Sequence, residues 1–556
     1  MKIISMPKKN QFNFIIIVIS VLIFGVTIAG RHYIPPDETR YLSVAWDMWL
    51  HHDYLVPHLN HLPYSHKPPL LFWLINLGWL IFGVNDWWPR LIPFLFSLGS
   101  IFIVKKISDK LWPKDYRVGY IASILLLANS VWAVYSSALM FDMMLTFFTC
   151  LGILGMVISL KEKNSQGYLY LIIAFAGGLL AKGPTILLQL LPLALTAPWW
   201  CEKKKLAWKS WYSSFVISFL VGVAILLCWA IPAGISGGAQ YQHDIFWGQT
   251  ANRMVNSFAH NRPQWWYLEM APLLIFPWFF VPSFWKLIFQ RSSKKLSEGL
   301  KFSIAWFFPV FISFSFISGK QVHYLLPIYP ALALIIASQF DRIKKIAWYD
   351  HAVIVIPLLI VGGVFYYLNM THRINDLAPW MNALPIQNSF VLILGAFLIF
   401  IWKTKDKISF LWKLVAANIL VISVLFLGVI YHTGNAYDLR EVSRTLKTIE
   451  DRGLPLAYLG NYAGQFDFIG RLNNPPQVLT TAQLFNWAKE HEEGRVIIIF
   501  DGEPDFEKIK PEFTSWYRGS HIAILSSSDI NRLSISEHAI STNLQSCDRV
   551  SMLRQL

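Results

Sequence analysis

Long apolar runs separated by short polar turns fill the first 432 residues, and only after that point do the runs shorten to strand length. About 20 mostly apolar residues cross a hydrocarbon core of about 30 Å. Measured against that length, the runs at 12–30, 88–104, 118–135, 140–160, 168–181, 184–200, 211–232, 267–285, 302–318, 322–340, 352–368, 388–402 and 410–430 predict thirteen transmembrane helices. The apolar stretch from Pro68 to Phe82 is shorter and is expected at the membrane interface. The first run follows Lys2, Lys8 and Lys9 but is longer than a signal-peptide core and lacks a small-x-small cleavage site, so it reads as an uncleaved first span.

Between the first run and the rest lies Pro35 to Phe72, which is far more polar than a simple connection requires. Pro36-Asp37-Glu38 opens a helix in which Leu42, Ala45, Trp46 and Trp49 recur on one face. With Arg40, Ser43 and Asp47 opposite them, this helix is predicted to lie flat at the headgroup level. In the tail, LPLAYLG (454–460), FDFIG (466–470) and RVIIIF (495–500) read as strands and TAQLFNWAKEHEE as a helix. The predicted fold class is therefore an all-α polytopic membrane domain, residues 1–432, followed by a soluble α/β domain, residues 433–556.

Composition agrees: 55% of the residues are hydrophobic, 16% aromatic and only 15% charged. The net charge of +15 would suggest nucleic acid in a soluble protein, but these cations concentrate in short turns, where membrane orientation accounts for them. Their asymmetry predicts a cytoplasmic N-terminus and an odd number of crossings, so nucleic acid is not expected as a partner. Loops 31–87 and 233–266, the turns at Lys182 and Lys320 and the tail then share the outer face. The four cysteines, Cys150, Cys201, Cys228 and Cys547, are scattered and suggest neither a disulfide framework nor a thiolate metal site.

Candidate chemistry gathers on that outer face. Asp37 has the place of a helix cap and equally that of a catalytic carboxylate. Arg40 and Lys67 suit either snorkelling or a lipid phosphate, and Pro68-Pro69 fixes the chain direction directly after Lys67. Asp142 begins a span; Lys320 and Tyr324 lie in an outer turn where such anchors are common. His51, His52, His58, His61 and His66 lack a metal-binding spacing, and His260 precedes a span.

The runs PPDETRYLSVAWDM, YSHKPPLLFW, FDMMLTFF, LAKGP, FAHNRPQWWYLEMAPLLIFPW and KQVHYLLPIYPALAL, in that order, resemble the polyprenyl-phosphate-sugar-dependent C-type membrane glycosyltransferases. The likeness is greatest to the aminoarabinose transferases of lipid A and extends to the protein O-mannosyltransferases. It covers about the first 340 residues. The resemblance implies thirteen spans, an extracytoplasmic active site in a bacterial inner membrane, and inverting transfer of a sugar from undecaprenyl phosphate to lipid A or another extracytoplasmic acceptor. By motif, Asp37 resembles the catalytic aspartate of the first loop, with Asp142 as a second carboxylate. Arg40, Lys67 and Tyr324 resemble donor-phosphate contacts, and Lys182 and Lys320 are added to them. Where the family places a glutamate before the loop lysine this chain has His66, which with His260 is the candidate pair for a divalent metal such as zinc. A protein O-mannosyltransferase and a lipid-linked-sugar transporter are the rival readings.

Overall fold

The computed structural model describes residues 9–162, 164–202, 207–252, 261–289, 295–371, 385–404, 406–433, 437–501 and 510–535. Among these residues, eight helical segments are long and apolar enough to cross a membrane. They are Lys9–Ala29 (α1), Trp87–Leu111, Asp142–Lys161, Trp208–Ser236, Glu298–Phe316, Val322–Arg342, Trp348–Met370 and Lys407–Ile430. Shorter apolar helices lie at Leu70–Phe82, Arg117–Leu127, Gln166–Lys182, Thr185–Leu195 and Gln387–Ile401. Apolar side chains such as Val216, Ile217 and Leu220 stand exposed along these helices. A bilayer covers such surfaces, and the chain is a multi-pass membrane protein.

Three of the expected spans are interrupted: 184–200 divides at Thr196, and the breaks in the other two meet. The 118–135 run divides at Asn129 into Arg117–Leu127 and Ser130–Tyr135, with the Asn129 side chain capping the second helix through the Trp132 amide at 2.8 Å. The 267–285 run carries Pro272, Pro277 and Pro282, which lack the amide a continuous helix needs, and it breaks into short pieces. Asn129 Nδ2 donates to the carbonyls of Leu274 and Phe276, and the Tyr329 hydroxyl also donates to Leu274 at 2.7 Å. Each break therefore satisfies the other, as a low-dielectric interior requires.

The helix opened by Pro36-Asp37-Glu38 forms as Asp37–His51 (α2), but Ser43 on its polar face is not open to water. Ser43 and Trp46 are buried beneath the tail segment 462–472. Ser43 donates to Asp467 at 2.5 Å, Trp46 Nε1 donates to the Leu472 carbonyl at 2.8 Å, and the Phe468 ring stacks on Trp79 with centroids 5.0 Å apart. Gly464, at φ +71°, lies so close to Ser43 that any Cβ there would collide with it. The apolar stretch after Lys67 becomes Leu70–Phe82 (α3), which packs Phe72, Ile75 and Trp79 inward and leaves Leu80 and Ile81 exposed.

The tail contains a five-stranded sheet of Leu456–Leu459 (β1), Gln477–Leu479 (β2), Arg495–Asp501 (β3), Phe513–Tyr517 (β4) and Ser520–Ser526 (β5). Spatial order is β2-β1-β3-β5-β4, parallel across the first three strands and antiparallel beyond. FDFIG is not a strand: Asp467–Gly470 is a short helix whose Phe468 packs on Trp46 and Trp79, so tertiary contact overrides a short apolar run.

Candidate active site

Asp37, Arg40, Lys67, Asp142, Lys182 and Tyr324 all line one cavity of about 2790 Å³, together with His66 and His323. Its walls come from the start of α2, the 59–68 loop, the N-terminus of Asp142–Lys161, the C-terminus of Gln166–Lys182, the turn before Tyr324 and the tail. Four cations, Arg40, Lys67, Lys182 and Arg518, face two carboxylates, Asp37 and Asp142, so the cavity favours anions.

The start of α2 is held by Glu38, next to the candidate catalytic residue. Glu38 is buried and accepts Arg31 through both oxygens, the Ile34 amide at 2.7 Å and the Leu139 amide at 2.7 Å. Arg31 also donates to the Ser137 carbonyl at 2.7 Å. Burial alone would push the Glu38 carboxyl up, but the Arg31 guanidinium and the two amides together hold it below the usual carboxylate range. The same bonds tie α2 to the 137–139 turn that delivers Asp142. Asp37 pairs with Arg40 one turn along and makes no helix-capping hydrogen bond. Arg40 Nε is buried without an acceptor among the described residues.

On the facing wall Asp142 is 4% exposed and accepts Lys182 Nζ at 2.5 Å, with His323 Nε2 3.9 Å from its other oxygen. His323 Nδ1 lies 3.4 Å from the Tyr135 hydroxyl. Lys182 Nζ also stands over the Tyr324 ring, 4.6 Å from its centroid, and Lys67 Nζ is 5.8 Å from that of Phe141. Lys320 does not join the group. It is buried outside the cavity lining, and its ammonium donates to the carbonyls of Arg262 and Ile317. A cation in a tight turn has this local alternative to a ligand.

His66 is exposed on the cavity rim, 5.1 Å from the Tyr64 ring, and His260 lies outside the described residues. No group of three or more His, Cys, Asp or Glu side chains that could hold a metal occurs among the described residues. The described residues alone do not complete a metal site. Glu38 and His323 are the residues that sequence reasoning passed over. Both stand inside quoted motifs, but their partners lie 101 and 181 positions away, where spacing carries no signal.

The same overall fold occurs in a solved structure. The chain aligns with ArnT from Cupriavidus metallidurans bound to undecaprenyl phosphate at a TM-score of 0.73 and 16% identity, covering 93% of this chain and 98% of that one. The apo form of that protein aligns at 0.71. In sequence, residues 66–232 match the family described as dolichyl-phosphate-mannose-protein mannosyltransferase. The chain is similar to the undecaprenyl phosphate-α-4-amino-4-deoxy-L-arabinose arabinosyl transferases of Edwardsiella ictaluri, at 28% identity over 60% of each chain, and of Pseudomonas fluorescens, at 27% over 56% of each. It thus spans about 60% of the length of these curated relatives.

Proposed function

We propose that the protein is an inverting glycosyltransferase that moves 4-amino-4-deoxy-L-arabinose, or a related sugar, from undecaprenyl phosphate to lipid A. The observation that carries this reading is the meeting of Asp37, Arg40, Lys67, Asp142, Lys182 and Tyr324 around one cavity. The names of the sequence relatives supply the donor and sugar class. Asp142, at the start of one helix, and Lys182, at the end of the next, open on the same cavity, as alternating passage requires, and thirteen crossings are part of this reading. On this reading the N-terminus is cytoplasmic, residues 1–432 form the membrane domain, and residues 433–556 form an α/β domain that shares the periplasmic face with loop 31–87.

In the donor, the anomeric carbon is bonded to a phosphate oxygen. An acceptor oxygen attacks that carbon from the opposite face, the bond to phosphate breaks with its electron pair, and undecaprenyl phosphate leaves with the added negative charge. No proton is needed on the leaving group; its charge must be held. Arg40, Lys67 and Lys182 line the cavity where they can do this. One such preorganised donor is typically worth about 10²- to 10³-fold in rate. Asp142 holds Lys182 in place, His323 buttresses Asp142, and Tyr324 packs against Lys182. Asp37 orients the acceptor and takes its proton where the acceptor is a hydroxyl; a phosphate acceptor, largely ionised at neutral pH, needs orientation only.

The match of residues 66–232 to a protein mannosyltransferase family favours one second reading, a protein hydroxyl as acceptor. Mass spectrometry of lipid A from cells with and without the protein separates the two. Addition of one amino-pentose mass supports the proposal, and unchanged lipid A in cells making active protein overturns it.

A further inference from the structure

The cavity exceeds the roughly 300–1,000 Å³ of an ordinary ligand pocket, and its tail wall has no part in the mechanism above. That wall includes Asn461, two residues beyond the carboxyl end of β1, and Arg518, in the two-residue turn between β4 and β5. In the register Asp501 pairs with Ser520, so the Arg518-Gly519 turn lies beyond the carboxyl end of β3. The chain leaves β1 toward β2 on one side and returns to β3 on the other, which makes the β1/β3 boundary the topological switch point of the parallel strands. Open parallel sheets bind ligands outside their carboxyl ends at that place.

Arg518 has two further properties. Its φ is +53°, where a two-residue hairpin favours Asn, Asp or Gly and a long side chain is strained. Of the four cations lining the cavity, Arg40 is paired with Asp37 and Lys182 with Asp142, whereas Arg518 has neither ion pair nor hydrogen bond among the described residues. The Asn461 amide is also without a hydrogen bond among them, and it is exposed at the same edge of the sheet.

We propose that Arg518 and Asn461 form an acceptor subsite that binds a phosphate of the incoming glycolipid other than the one that receives the sugar. The proposal rests on the glycosyltransferase reading. It adds a specificity role for the tail: the membrane-domain cations take the donor phosphate, and the tail takes the second anion of the acceptor and so sets its orientation.

The test is equilibrium binding of bisphosphorylated and monophosphorylated lipid A to the purified full chain in nanodiscs, for wild type, Arg518→Gly and Asn461→Ala. Glycine relieves the positive φ, so Arg518→Gly keeps the hairpin and its effect is not one of misfolding. We expect Arg518→Gly to weaken the bisphosphorylated lipid about tenfold, to leave the monophosphorylated lipid within twofold, and to leave undecaprenyl phosphate binding unchanged. Asn461→Ala is expected to weaken the bisphosphorylated lipid about threefold. Equal loss for both acceptors, no loss for either, or a loss confined to undecaprenyl phosphate overturns the subsite. Because the readout is binding, a chain that binds as expected but transfers no sugar contradicts the glycosyltransferase reading and not this one.

Discussion

Glu38→Gln tests how the site is positioned. The Glu38 carboxylate accepts four donors, two from Arg31 and one each from the Ile34 and Leu139 amides. A glutamine has one acceptor oxygen and presents its NH₂ to the other pair, so about two buried donors lose their partners. Each orphaned donor costs about 1–3 kcal/mol, and breaking a buried ion pair from one side costs about 3–5 kcal/mol in total. Measured against a typical stability of about 5–15 kcal/mol, that is severe. Thermal unfolding in nanodiscs of fixed lipid reads the loss. A cycle with Arg31→Met, in which the double variant is less damaged than the sum of the singles, assigns it to the pair. Because the folded pKa of Glu38 is held below its ordinary value of 4.5, its contribution is present above that pH and is lost as pH falls further; Glu38→Gln should flatten this acid limb. Glu38→Gln melting with wild type, or an additive cycle, would show that Glu38 does not hold α2 in place.

Other outcomes follow from the same geometry. Asp37→Asn is expected to abolish transfer while preserving membrane insertion and donor binding, measured by single-turnover transfer beside undecaprenyl phosphate binding; full activity removes the catalytic assignment. Lys182→Met should lower kcat/KM by about 10²-fold, the value of one lost phosphate donor, and a change under threefold would place the donor phosphate elsewhere. Asp467, between α2 and the tail, has its carboxyl pushed up to about 6 by burial, despite the bonds from Ser43 and Tyr462. A raised folded pKa means that the contact is strongest below about pH 4 and weakens as pH rises to about 6. Asp467→Asn should therefore tighten the contact by up to about 3 kcal/mol at pH 7.5 and by nothing near pH 4. Hydrogen exchange across 462–472 checks this, and equal exchange for both proteins at both pH values would contradict it.

The membrane-spanning part was legible because a bilayer demands long apolar runs, and most such runs form helices. What period and length cannot report is interruption and pairing. The break at Asn129 depends on carbonyls freed by prolines about 145 residues later. Short runs are ambiguous between strand and helix, and FDFIG took the helical form because Trp46 and Trp79 were there to receive Phe468. Among the site residues, Asp37 and Arg40 were readable as neighbours one turn apart. Lys67, Asp142, Lys182 and Tyr324 were named by motif, and only folding showed that Asp142 holds Lys182 against Tyr324. Lys320 had the same residue type and the same kind of turn, yet its ammonium is spent on local carbonyls. The tail wall carried no motif at all, since Asn461 and Arg518 reach the same cavity only through the strand order β1-β3-β5.

The claim on which the rest depends is that Arg40, Lys67 and Lys182 receive a polyprenyl phosphate. An experimental structure of the protein with undecaprenyl phosphate tests it most directly. The phosphate is expected within hydrogen-bonding distance of at least two of these three side chains, with the lipid tail leading out between the helices toward the bilayer. A phosphate bound at the opposite ends of the helices, or touching none of the three, would contradict it.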